Sequence, residues 1–297
     1  MAERGPGAWL PWLVAVNVVW GASYSVLKTT VDRVSPLMTA ALGVCLGTAA
    51  LWLVRSLRPR GPRVPPGDRL RIALLGNVGL TANVLLTFEG IARATAVDAS
   101  LTIVGETIFT LLLAVALGER ADRRRLAAAA LGVAGVALVV LDGADPAGEA
   151  SGRPVGVLLL LAATLADAVY NVRGAALTRR YDALTVLTWA MTGTLPVWLA
   201  VLLWSCARGE PPALDLPAAL GVLWIGVVQY TLCFWAWFAL IGRAGASLGA
   251  VTVAAQPLAG VLVGVLVLAE RPGAPALLGA LVVVAALWTA GSSRTRP

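Results

Sequence analysis

Apolar residues in this chain run in long unbroken stretches, and polar residues gather in the short intervals between them. Ten such stretches can be marked, at 9–29, 36–54, 70–91, 95–117, 124–142, 155–173, 183–205, 217–240, 245–268 and 274–291. A run of about 20 apolar residues is long enough to cross a bilayer as a helix. None of them alternates with the period of two that a barrel strand would show, so the pattern predicts helices. The expected fold is therefore an all-α integral membrane protein with ten transmembrane helices.

The pattern also repeats. IARATAVDASLTIVGETIFTLLLAVALGER ends the fourth run, and LIGRAGASLGAVTVAAQPLAGVLVGVLVLAER ends the ninth. At a spacing of 150, Arg93 stands opposite Arg243, Thr102 opposite Thr252, Glu106 opposite Gln256 and Thr107 opposite Pro257. One further residue brings Glu119 opposite Glu270, each followed by Arg. Two weakly similar halves in a long apolar chain suit a transporter, in which related bundles rock about a shared central site. The expected domains are a first five-helix repeat over 1–142, a linker over 143–154 and a second repeat over 155–297. The linker, DGADPAGEASGRP from 142, is rich in Gly, Pro and acidic residues, as a break between two units should be.

Composition agrees with the pattern. The 297 residues are 59% hydrophobic and 13% charged, with a mean hydropathy of +0.83. A soluble domain carries roughly 25% charged residues. The net charge of +7 is not a nucleic-acid footprint, because the basic residues follow the loops. Seventeen of the 23 Lys and Arg fall on one predicted side, among them Arg55, Arg58, Arg69, Arg71 and Arg123 to Arg125. By the positive-inside rule both termini are cytoplasmic, in a multi-pass protein of the cell membrane. With five helices per half, the second half enters from the opposite face, so the repeats are inverted. The N-terminal run is too long for a signal core and lacks a small-residue cleavage site.

Polar residues inside the runs are the candidate chemistry, since a charge in hydrocarbon is costly. Glu106 and Asp167 lie near the middle of the fourth and sixth runs. Either they are hydrogen-bonded carboxyls that fix helix packing, or they bind protons or a cationic substrate. Glu89 is four residues from Arg93, which reads as an ion pair along one helix face. Asn17, Trp20 and Tyr24 on the first run, Tyr170 and Asn171 on the sixth, and Gln256 on the ninth are expected wall residues of a central cavity. Glu106 and Gln256, being equivalent in the repeat, are expected to face each other near the centre.

Other features carry less. Gly43/Gly47, Gly245/Gly249 and Gly260/Gly264 suit close helix packing, within one chain or between two copies in a homodimer. Trp9, Trp12, Trp52 and Trp204 suit an interfacial belt. The basic stretch from 55 to 68 is a topology determinant and a candidate contact for anionic lipids. Cys45, Cys206 and Cys233 have no metal or disulfide spacing, and the sequence contains no histidine. No P-loop, zinc motif or nucleophile elbow occurs, so neither a cofactor nor a bound metal is expected. Glu119 and Glu270 fall at helix ends, where bonding to neighbouring backbone is the simpler role.

At these residues the chain resembles the drug/metabolite transporter superfamily, specifically its EamA-type ten-helix permeases. WGASY from Trp20 to Tyr24 matches that family's Trp-Gly-small motif on the first helix. GETIFTLLLAVALGER and AAQPLAGVLVGVLVLAER match two degenerate copies of its Glu-Pro and Gly-Glu-Arg pattern. The family comparison sets Asp167 at a place often filled by an aromatic, with Trp20 as its counterpart in the first half. The resemblance implies a secondary transporter that exports a small organic solute such as an amino acid, metabolite or drug. Alternating access with proton coupling is the expected mechanism, and the expected partners are that solute, membrane lipids and protons, without nucleic acid. An uptake permease or exchanger of the same fold is the alternative, and an intramembrane lipid-modifying enzyme is the alternative from another class.

Overall fold

The structure is a computed structural model that describes residues 6–58, 64–116, 127, 130–132, 134–135, 137–138, 152–178, 180–208, 214–244, 252–253 and 255–291. Among the described residues every regular element is helical. A short turn at Pro6–Trp9 leads into α1 (Leu10–Val31), followed by α2 (Pro36–Ser56). α3 (Pro66–Gly76) continues without a break through a π-helical segment, Asn77–Thr81, into α4 (Ala82–Arg93). α5 (Ala96–Thr102) and α6 (Val104–Ala116) together fill the predicted fourth run. α7 (Arg153–Thr178) and α8 (Ala183–Ala207) come next. α9 (Leu216–Leu223) then runs through a second π segment, Trp224–Cys233, into α10 (Phe234–Ala244). α11 (Ala255–Leu268) and α12 (Ala274–Gly291) complete the chain.

Among the described residues six helical stretches are long and apolar enough to cross a membrane: Leu10–Val31, Pro36–Ser56, Pro66–Arg93, Arg153–Tyr170, Ala183–Ala207 and Leu216–Trp237. α11 is apolar but shorter. Most of the predicted fifth run and linker, together with Glu119 and Gly245/Gly249, lies outside the described residues. The fourth run differs most from expectation. Instead of one helix it breaks at Ile103, where the Glu106 amide bonds the Ile103 carbonyl in a tight turn.

The surface is inverted relative to a soluble domain. Leu53, Leu74, Val78, Leu203 and Leu266 are exposed, whereas Asn17, Asp98, Ser100 and Thr188 are buried. Such an apolar exterior suits lipid and leaves polar groups to pair inside. The main core gathers Leu27, Val44, Leu51, Phe88, Ile91, Trp198 and Ile225 where α1, α2, α4, α8 and the second π segment converge. Glycines set the closest approaches. A Cβ on Gly43 would lie 2.7 Å from Ile225, and one on Gly76 or Gly193 would strike the backbone of the facing helix. Small residues at contacts supply the packing that lipid cannot drive.

Loops predicted to share a side do meet. At one end Arg33 pairs with Asp215 at 2.7 Å and Asp98 with Arg153 at 2.9 Å. At the other, Arg-rich end, the Tyr181 hydroxyl donates to Asp68 at 2.5 Å, Arg55 bonds Thr185, and Arg58 stacks 4.3 Å over Trp235.

Candidate functional site

α1 presents Asn17, Trp20 and Tyr24 at steps of three and four, so they share one face and rise along it. α7 does the same with Asp167 and Tyr170. Two glycines then bring the partner helices in. A Cβ on Gly105, beside Glu106, would lie 2.7 Å from the Thr164 hydroxyl on α7. A Cβ on Gly21 would lie 2.2 Å from the Gln256 carbonyl on α11.

The first of these approaches brings the two carboxyls together: Glu106 and Asp167 lie within side-chain hydrogen-bonding reach of each other. An ionised carboxylate has only acceptors, so a bond between them forms only when at least one of the pair carries a proton. Both side chains are half-buried, and the Tyr24 phenol stands within electrostatic reach of both. Tyr170, buried on α7, lies within electrostatic reach of Asp167, and Tyr230 of the second π segment within that of Tyr24. Tyr170 fits because the facing residue is Gly79, whose Cβ would lie 2.6 Å away.

The second approach joins amides. Gln256 Nε2 donates to Asn17 Oδ1 at 2.7 Å, and Asn17 Nδ2 donates to Thr252 Oγ1 at 3.1 Å and to the Leu13 carbonyl at 2.9 Å. All three side chains are buried. Among the described residues α11 packs on the fourth run chiefly along α5, while α6 packs onto α7. Each residue of the expected pair has a partner on a different helix.

Counted at the spacing of 150 that separates Glu106 from Gln256, Asp167 stands opposite Asn17, and Trp20 opposite Tyr170. Trp20 is half-buried and packs edge-on against Phe234 at 5.1 Å and Trp237 at 5.6 Å. The Asn171 side chain lies outside the described residues. Among the described residues no group of three or more metal-binding side chains converges.

Of the flanking features, Glu89 and Arg93 form the expected pair at 2.6 Å. A cavity of about 650 Å³ opens toward the Arg-rich end between α1 and α10, lined by Trp12, Val16, Val19, Arg58, Leu232 and Trp235. The opposite end carries contacts whose distant partners sequence reasoning did not supply, although it expected Glu270 to bond backbone. Asp98 is fully buried and takes two bonds from Arg153, each 2.9 Å. Glu270 accepts from the Ala96 and Val97 amides at 2.8 and 2.9 Å. The apolar steps of these helices gave no sign of that bridge; the acid of the Gly-Glu-Arg-like ending was the available signal.

Outside the spanning helices, the bond that Tyr181 donates to Asp68 holds its phenol pKa above the ordinary value.

The EamA-like transporter family profile matches residues 7–141 and 154–291. The chain belongs to that family. It is 28% identical over 249 residues to a Streptantibioticus cattleyicolor protein named "Probable terminal-alkyne amino-acid exporter", covering 82% of this chain and 80% of the relative. It is 27% identical over 241 residues to an Escherichia coli K12 protein named "Probable amino-acid metabolite efflux pump", covering 77% and 76%. One crystal structure matches with a TM-score of 0.64 at 20% identity, over 95% of this chain and 96% of the other, which shows a shared fold. With its apolar helices, this EamA member is a multi-pass membrane transporter.

Proposed function

We propose that this EamA member is a secondary active exporter of a small amino-acid-like solute, working by alternating access and coupled to protons. Its two halves are read as inverted five-helix repeats, completing ten spans, with both termini cytoplasmic. The observation that carries the reading is one contact made twice. Glu106 on the fourth run meets Asp167 on α7, and Gln256 on α11 bonds Asn17 on α1, each residue 150 positions from its counterpart. Other packings exchange in the same way: α2 meets the second π segment as α8 meets α3, and α2 meets α8 directly. The family profile's match over two stretches of similar length supports the same division.

The carboxyl pair is read as the coupling group, because it alone of the two contacts needs a proton to form. Trp20, Tyr24 and Tyr170 with Gln256, Asn17 and Asn171 are read as walls of the central cavity. The solute class follows the names of the two amino-acid exporters among its relatives. Few basic residues lie within the spans, which disfavours a strongly anionic solute, since phosphate sites favour Arg or Lys.

The test is flux into inverted vesicles of labelled amino acids and cationic dyes, with and without an imposed proton gradient. Gradient-driven accumulation of at least one solute is expected. Uptake indifferent to the gradient would remove proton coupling, and a chemically altered product without net flux would favour an enzyme.

A further inference from the structure

We propose that Glu270 is the latch of an outer gate whose moving part is α5; this rests on the alternating-access reading above. All seven residues of α5, Ala96 to Thr102, are buried. The segment sits between α1, α4, α7, α11 and α12, at the end away from the Arg-rich loops. It is closed by close packing: a Cβ on Gly260 would lie 2.1 Å from Ser100, and one on Gly264 would lie 2.8 Å from Val97 and from Glu270 itself. Below it the chain breaks at Ile103, so α5 is joined to α6 by a turn rather than by continuous helix.

Two acidic side chains hold this plug, and their environments decide which one lets go. Asp98 is fully buried against Arg153, and parting that pair leaves a bare charge inside the protein. Glu270 is only half-buried and bonds backbone amides, so water can replace its partners on both sides. The Ala96 and Val97 amides are first-turn donors without an intrahelical partner. In a lipid-excluded interior they must be met by Glu270 or by water, so releasing Glu270 and admitting water from that face are one event. α5 then leaves α11 while staying joined to α7 through Asp98 and Arg153.

The turn that carries Glu270 is built to place it. α11 ends with the Glu270 amide bonding the Gly264 carbonyl, and Ala269 takes φ 54°, a left-handed conformation usually given to glycine. The chain holds a strained residue next to the latch.

The experiment labels a reporter cysteine in whole cells with a membrane-impermeant thiol reagent. Cys45, Cys206 and Cys233 are first replaced by Ser or Ala, and Thr102→Cys places a thiol of nearly the same volume at the inner end of the plug. The reporter should react slowly with Glu270 intact and roughly tenfold or more faster in Glu270→Ala, as expected for losing bonds to a charged acceptor. Glu270→Gln, which keeps one acceptor oxygen, should fall between and serves if Glu270→Ala does not fold. Thr194→Cys, buried in α8, is the control for general loosening. A rise at Thr102→Cys with Thr194→Cys unchanged supports the latch. Equal rises at both sites, or none at Thr102→Cys in folded protein, overturn it. Labelling does not depend on substrate, so absence of flux for every solute removes the exporter reading alone, while unchanged labelling with intact flux removes the latch alone.

Discussion

The contact between α6 and α7 and the contact between α1 and α11 have nearly the same shape and opposite chemistry. In each, a residue of the fourth or ninth run reaches a residue near the middle of the first or sixth, beside a glycine that lets the backbones close. In one the partners are Gln256 and Asn17, whose amides donate and accept at any physiological pH. In the other they are Glu106 and Asp167, two carboxyls that can bond each other only when one carries a proton. An acid and its amide differ by one atom and hardly in volume, so packing is conserved between the halves while titration is confined to one. On the proposed reading, the difference says where to look for coupling: the carboxyl contact, which would open when a proton leaves, is the switch, and its amide twin is the hinge.

The sharpest way to break this comparison is to make both contacts alike. Glu106→Gln together with Asp167→Asn recreates the Asn17–Gln256 chemistry on α6 and α7. The double variant should fold, because the other half already accommodates that bond. Its flux should lose all dependence on the proton gradient, the largest effect expected of any change in this protein. Measurement in inverted vesicles decides it: pH-dependent flux equal to wild type would reduce the carboxyls to packing elements.

Much of this was legible in the sequence, and the gaps have physical causes. Long apolar runs predicted the helices, and the 150-residue spacing singled out Glu106 and Gln256 before any contact was known. Hydropathy reads composition along the chain, so it saw one run from 95 to 117 and not the break at Ile103. Nor did it see the π segments at Asn77–Thr81 and Trp224–Cys233, which share the apolar composition of the α-helices around them. The first and sixth runs align weakly, so an aromatic landmark sets Trp20 opposite Asp167 while the 150-residue spacing sets Asn17 there, and the side-chain partners favour the second. The role of Glu270 was invisible in detail because its partners are backbone amides about 174 residues away, which every sequence possesses.

The hinge contact offers a smaller test, read first in stability. Asn17→Ala removes the acceptor of the buried Gln256 amide and a donor to Thr252. A buried polar group left unsatisfied costs about 1–3 kcal/mol. Thermal unfolding in detergent should show that loss, while the proton dependence of the remaining flux should persist. If Asn17→Ala instead abolished proton dependence with little change in stability, the assignment of switch and hinge would have to be reversed.

The mildest prediction concerns a proton-bearing bond that stands outside the spanning helices. Tyr181 donates to Asp68 across the Arg-rich end, and that bond raises the phenol pKa in the folded protein. An unfolded tyrosine titrates near about 10. A group with a raised folded pKa contributes its stability in full below the unfolded value and loses it as pH climbs through the folded one. Wild-type thermal stability should therefore fall more steeply above that range than stability of Tyr181→Phe, and the two should run parallel below it. The difference should be small, since Tyr181 is only half-buried and water competes for the same hydrogen bond. Identical profiles would mean that water satisfies Asp68 as well as Tyr181 does, and that this bond, unlike the Glu106–Asp167 pair, holds no proton that matters to the fold.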